Sequence, residues 1–366
     1  MKDRFLVIQL ATIFVGSIVG AGLSSGRELS QFFSVYGYKG FIGLLICGAS
    51  YILVGKMIVD LTMKHNVKSY NEFITLVCPK GVSHFTNIIL TLFLLSSTVI
   101  ILAGSSAVIH QYFGIPRWIG FIIMVGCSIV FLLRNTEGLF EVNSVIVPLL
   151  IIVMLAIFAS FVIKTPESIQ ISYIKALPYT KNNWFASSLI YSGFNIISVV
   201  GILVPLTYEL RQPKMIKKGI VLGTAVLTTI SMFIVLLMLI NATYPELYEI
   251  PILAVAMQGG KVLQIALLMV IWLEMFSSQI SNIYSLTRSL ESQIHISYKT
   301  GIFIILAVAA PFSLIGFSKL VDILYPLYGV LSLAFVMCCI IFYVKEHTKV
   351  ISYKKYTQNR AERHKI

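Results

Sequence analysis

Apolar residues gather into ten long segments, near 5–36, 40–60, 85–112, 117–133, 143–163, 184–208, 217–241, 261–290, 300–317 and 321–344. Stretches of this length and hydropathy predict membrane-spanning helices, so the pattern describes an all-α membrane protein of about ten transmembrane helices. Between the second and third segments, 69–80 is too short and too polar to cross, and it reads as an interfacial helix. Two longer polar connections, 164–183 and 244–260, are expected on the same side of the bilayer.

The first segment is too long for one straight crossing. As a continuous helix it would run about 48 Å, against ~30 Å of hydrocarbon. Gly16, Gly20, Gly22 and Gly26 fall close together within it, among Ser17, Ser24 and Ser25, where a helix breaks most cheaply. Arg27 and Glu28 follow at once, and each charge costs at least ~2.5 kcal/mol at the centre of a spanning helix. Irregular backbone at membrane depth survives only inside protein or along a polar cavity, so the segment predicts a discontinuous helix lining a site. Close helix packing through Gly16 and Gly20 is the plainer reading, but it leaves Gly22, Gly26 and both charges unexplained. Arg27 and Glu28 lie about 100° apart on a helix and cannot face one partner. They either meet ligand or form a gate ion pair with another helix, for instance through Glu209.

A second interruption is expected in the sixth segment, at Tyr191-Ser192-Gly193-Phe194-Asn195, with Pro205 beyond it. Broken spans at matching positions of two five-helix halves point to a midplane binding site in a transporter. The halves would be 1–163 and 184–344, and an odd number of spans in each makes the second inverted. Tyr191, Phe194 and Asn195 then form either a substrate wall or packed core. In the eighth segment Glu274, Ser277, Ser278, Ser281 and Ser285 fall within about 60° of one direction, with Asn282 just off the edge. Such a stripe serves either as hydrogen-bonding glue between helices or as an ion pathway.

Composition removes other classes. Hydrophobic residues make up 57% of the 366, only 12% are charged, and mean hydropathy is +0.89. A disordered or nucleic-acid-binding chain is excluded. The net charge of +13 is topological: 20 of the 28 basic residues fall on the side of the termini and seven on the other, leaving Arg27 in the membrane. Both termini are therefore expected in the cytoplasm, with the basic tail 345–366 near anionic lipid. Cys47, Cys78, Cys127, Cys338 and Cys339 have no zinc-ligand spacing, and the chain has no phosphate-binding loop, His-Glu-x-x-His or nucleophile elbow. No enzyme and no cofactor is expected, only a coupling ion, Na+ or H+. The expected partners are a small-molecule substrate and the lipid bilayer; no protein partner is indicated.

Ten spans, with Val15-Gly16-Ser17-Ile18-Val19-Gly20-Ala21-Gly22-Leu23-Ser24-Ser25-Gly26-Arg27-Glu28-Leu29 in the first, resemble the YkvI-like bacterial membrane proteins. These look like distant members of the amino acid–polyamine–organocation superfamily, with a leucine-transporter-type 5+5 inverted repeat broken in helices 1 and 6. The resemblance implies a sodium site formed by the carbonyls of Gly16, Val19 and Glu274 and the hydroxyls of Ser277 and Ser278. It implies a substrate site around Ile18, Gly20, Ala21, Gly22 and Ser24, with the substrate carboxylate on the amides near Gly20 and Gly22. The lysine that replaces sodium in some proton-coupled members has no counterpart between Asn143 and Ile163, which favours sodium, whereas a carboxylate at Glu274 would suit a proton. The implied function is secondary active transport of an amino acid or similar small zwitterion or amine by alternating access. A permease-like sensor of the germinant-receptor kind, binding without net transport, is the alternative.

Overall fold

The computed structural model describes residues 2–134, 139–177 and 179–363. All regular structure among them is helical. The first span is cut into α1 (Lys2–Ile18), α2 (Ala21–Ser25) and α3 (Arg27–Phe32). The second span is α4 (Lys39–His65), followed by the short α5 (Tyr70–Val77), and the third to fifth are α6 (Lys80–Phe113), α7 (Arg117–Arg134) and α8 (Leu139–Lys164). The connection after them carries α9 (Ile171–Ala176). The sixth and seventh spans are α10 (Trp184–Leu210) and α11 (Pro213–Ile240), followed by the connecting helices α12 (Tyr244–Leu247) and α13 (Pro251–Gly259). The last three spans are α14 (Lys261–Ile294), α15 (Tyr298–Ser313) and α16 (Phe317–Arg363). Seven of these are long and apolar enough to cross a membrane unaided; α7 and α15 are shorter apolar helices, and the divided first span completes the expected ten.

Local chemistry sets several boundaries. Gly114 ends α6 at φ 68°, and Asn66 ends α4 at φ 55°, both in the left-handed conformation that closes a helix. Pro213 starts α11, where its missing N–H costs nothing. Helix α5 opens on a side-chain cap: Ser69 Oγ accepts from the Glu72 amide at 3.3 Å, and Glu72 Oε2 reaches one residue further back to accept from the Lys68 amide at 2.8 Å. Phe73 and Ile74 anchor its inner face with no exposed surface.

The sixth span departs from expectation. α10 runs unbroken from Trp184 to Leu210. Its small residues serve a helix crossing instead of a break: Gly193 lies against the Gly329 carbonyl and Leu333 of α16, and Gly329 lies against the Ile190 backbone. The Asn195 amide bonds within the helix, donating to the Tyr191 carbonyl at 3.1 Å, and reaches the Tyr51 hydroxyl at 3.0 Å. Pro205 removes one rung only, leaving the Gly201 carbonyl without its helical donor.

Two groups of helices result. α1, α4, α10 and α11 pack on one another, while α6, α7, α8 and α15 gather around α14; α16 packs along α10 and α6. The outside is a band of bare apolar side chains such as Leu53, Ile122, Ile152 and Val262, suited to lipid. At the face carrying the ends of α4 and α10, Lys64 pairs with Glu346 and Lys217 with Asp60. α16 continues beyond its membrane span into the basic segment as helix.

Candidate substrate cavity and gate

The break in the first span leaves Val19 and Gly20 outside any helix, with Gly20 extended at φ −144° and ψ −171°. The space where a Gly20 side chain would stand is open for 4 Å around. Gly22 is the reverse case: a Cβ there would run into the Glu28 carboxylate and the Tyr325 ring. Gly26, at φ 78°, separates α2 from α3 in a conformation that L side chains rarely adopt. Ser24 and Ser25 are fully buried and donate to the Gly20 and Gly22 carbonyls, each at 2.8 Å. Ser24 therefore steadies the broken segment and does not face the cavity.

Beside the break lies a cavity of about 210 Å3. Gly16, Ile18, Val19, Gly20 and Ala21 line it from the first span, Phe194 and Asn195 from α10, and Ser278, Ser281, Asn282 and Ser285 from α14. Glu28 lines it as well, although only 2% of its surface is exposed. Its Oε1 has no hydrogen-bond partner, and the Tyr191 hydroxyl stands beside it without closing a bond of normal geometry. Tyr191 itself is buried against Phe32 and Phe33, with ring centroids 5.1 and 4.9 Å away, behind the cavity wall. Sequence reasoning missed two parts of that wall, Phe93 and Tyr325. Their ring centroids lie 5.6 and 4.5 Å from that of Phe194, the first edge-on. Aromatic residues are frequent throughout the chain, so nothing in the sequence distinguished these two.

The polar stripe of the eighth span divides. Its Ser278, Ser281 and Ser285 reach the cavity, and Asn282 donates to Ser97 Oγ at 2.8 Å. Glu274, a turn nearer the start of α14, and Ser277, directly before Ser278, lie off it. Ser277 is buried, and its carbonyl accepts from Ser281 at 3.0 Å. Glu274 is wholly enclosed, with neither carboxylate oxygen hydrogen-bonded. Among the described residues the Val19 carbonyl accepts no bond from a backbone amide. Gly16, Val19 and Ser278 thus line one cavity.

Arg27 faces elsewhere. It lines a second, wider cavity of about 810 Å3, together with Gln31, Thr180, Lys181, Glu246 and Asp322. The two long connections meet around this vestibule, which bears out their placement on one side. Arg27 Nε donates to Asp322 Oδ1 at 3.1 Å, Nη2 pairs with Oδ2, and Nη1 donates to the Pro245 carbonyl. Gln31, one turn on, donates to the Asp322 carbonyl at 2.8 Å. The expected partner Glu209 is corrected to Asp322. Glu209 is exposed near the end of α10, where Arg211 bonds Asn66 at the opposite face. A basic residue left alone in the membrane called for an acid on another span, and Asp322, just inside the tenth, was the available signal.

With this geometry in hand, the relatives are informative. The protein is 32% identical over 332 residues to the "Uncharacterized membrane protein YkvI" of Bacillus subtilis strain 168, covering 90% of this chain and 93% of that one. The chain belongs to the YkvI family. No family model matches it. Among solved structures, this YkvI-family chain superposes on a substrate-bound, outward-open Na+-coupled sialic acid symporter with a TM-score of 0.65 at 14% identity, covering 92% of this chain and 78% of the other. It superposes on MhsT in complex with L-phenylalanine with a TM-score of 0.62 at 14% identity, covering 90% and 87%. These likenesses establish the leucine-transporter-type fold of an all-α membrane protein.

Proposed function

We propose that this YkvI-family protein is a secondary active transporter of a small amine or zwitterion in the bacterial cytoplasmic membrane, with both termini in the cytoplasm. One observation carries the reading: a discontinuous first span and the hydroxyls of α14 line a single cavity, level with the break in the first span. Irregular backbone inside a membrane span persists only within protein or along a polar cavity, and this one borders a cavity. Rocking of α1, α4, α10 and α11, grouped as the halves 1–163 and 184–344 imply, against the helices around α14 would alternate access to that cavity. The Arg27–Asp322 pair closes the vestibule side.

Sodium is the coupling ion in this reading. Gly16 and Val19 would offer carbonyls and Ser278 a hydroxyl, while the Glu274 carbonyl and Ser277 lie off this cavity and outside the set; Ile18, Gly20, Ala21 and Asn195 would border the solute. The sodium-coupled symporter sharing the fold supports this, as does membership of the amino acid–polyamine–organocation superfamily implied by the sequence resemblance. The test is uptake of radiolabelled amines and amino acids into proteoliposomes, with inward NaCl or KCl gradients. Sodium-driven accumulation that Ser278→Ala abolishes is the expected result. Accumulation indifferent to sodium but driven by a proton gradient would reassign the ion, and binding with no flux would favour the sensor.

A further inference from the structure

We infer that the central cavity selects a small organic cation, a ligand carrying ammonium but no carboxylate, with Glu28 as its counter-ion. The inference rests on the reading that this cavity receives the solute, and it narrows the solute's class.

The charge of the cavity is the first argument. Among the described lining residues Glu28 is the one carboxylate, with no Lys, Arg or His to balance it. Its sequence neighbour Arg27 is turned into the vestibule and held by Asp322 and Pro245. A carboxylate at 2% exposure, with Oε1 making no hydrogen bond, is expensive to keep unless something cationic meets it. Other buried carboxylates in this protein do not face such a space: Glu274 is enclosed away from the cavity.

The walls provide the second argument. Phe93, Phe194 and Tyr325 form a run of rings on the same cavity, and aromatic faces attract ammonium groups, most strongly where water is excluded. A substrate carboxylate finds no cationic side chain here. It would have to share about 210 Å3 with Glu28. That volume is also below the ~300 Å3 at which drug-sized pockets begin, so the ligand is small.

The experiment uses the full-length protein purified in detergent and three probes that share an isobutyl group. These are 3-methylbutylamine (cation), L-leucine (zwitterion) and 4-methylpentanoate (anion). Affinities are read by thermal-shift titration for the wild type and for Glu28→Gln. The amine should bind about tenfold or more tightly than leucine, and the anion should not bind. Glu28→Gln should weaken the amine about 10- to 100-fold, the range for a lost charge-assisted hydrogen bond, while its unliganded melting point stays near wild type. Should the variant fail to fold, the wild-type order of the three probes decides alone. Leucine binding as tightly as the amine, no amine binding, or amine affinity unchanged in Glu28→Gln would each overturn the assignment. Flux separates the two readings. Leucine accumulation without amine binding sinks the cation and leaves a transporter; amine binding through Glu28 without flux keeps the cation and sinks transport.

Discussion

Asp322→Asn should open the vestibule side. The Arg27 guanidinium meets both Asp322 oxygens, a fork-to-fork pair that is stronger than a single contact. The side chains are 17% and 36% exposed, so water screens the pair and its worth falls between exposed and buried limits, about 1–2 kcal/mol. Asparagine retains one acceptor for Arg27 but removes the charge. A loss of that size shifts a two-state equilibrium about 5- to 30-fold. The readout is a single cysteine at Ser198, which lines the central cavity, in a background lacking the five native cysteines. A membrane-impermeant maleimide is applied to the vestibule face of proteoliposomes. Its reaction rate should rise about 5- to 30-fold in Asp322→Asn, and equally in Arg27→Gln. The double variant should add little, because the two changes break one interaction. An unchanged rate, or effects of the two singles that simply add, would refute the latch.

Two further outcomes test the packing and the buried charge. Gly329→Ala drives a methyl into the Ile190 backbone at the α10–α16 crossing and should destabilise by about 1–3 kcal/mol or more, whereas Gly126→Ala, with nothing within 4 Å, should stabilise by about 0.5–1 kcal/mol; melting points in detergent check both. Glu274→Met replaces an enclosed, unpartnered carboxylate with an apolar side chain of similar size, so the melting point should rise by the equivalent of about 1–3 kcal/mol; a falling melting point would contradict the reading.

The break in the first span was legible because glycines, serines and adjacent charges inside an apolar run leave few alternatives. The sixth span was misread for a physical reason. Tyr191 to Asn195 has similar small and polar composition, but a small residue in a helix reports only that something comes close. Here that something is α16 at Gly193, and not a ligand at an unwound turn. Periodicity placed Ser278, Ser281 and Ser285 together correctly, since one helix fixes their relative directions. It said nothing about depth, so it did not separate them from Glu274, a turn away and sealed. Partners between distant spans, Arg27 with Asp322 above all, depend on how helices stack, and hydropathy does not encode that.

The split between Arg27 and Glu28 bears on how the two cavities communicate. They are neighbours in the first turn of α3, released from α2 by the left-handed Gly26, and they face different compartments. On the opposing helix the same doubling occurs: Asp322 holds the latch, and Tyr325, one turn on, lines the central cavity and touches the space beside Gly22. One turn of α3 and one turn of α16 thus contribute to both sites. A ligand that draws Glu28 or presses on Tyr325 displaces the elements carrying Arg27 and Asp322. A helical turn that is hydrogen-bonded end to end moves as a unit. Whatever binding free energy differs between the latched and unlatched arrangements must therefore appear at both cavities, and by linkage the latch must alter ligand affinity by the same factor. In Asp322→Asn the affinity of the central cavity should change together with its accessibility from the vestibule.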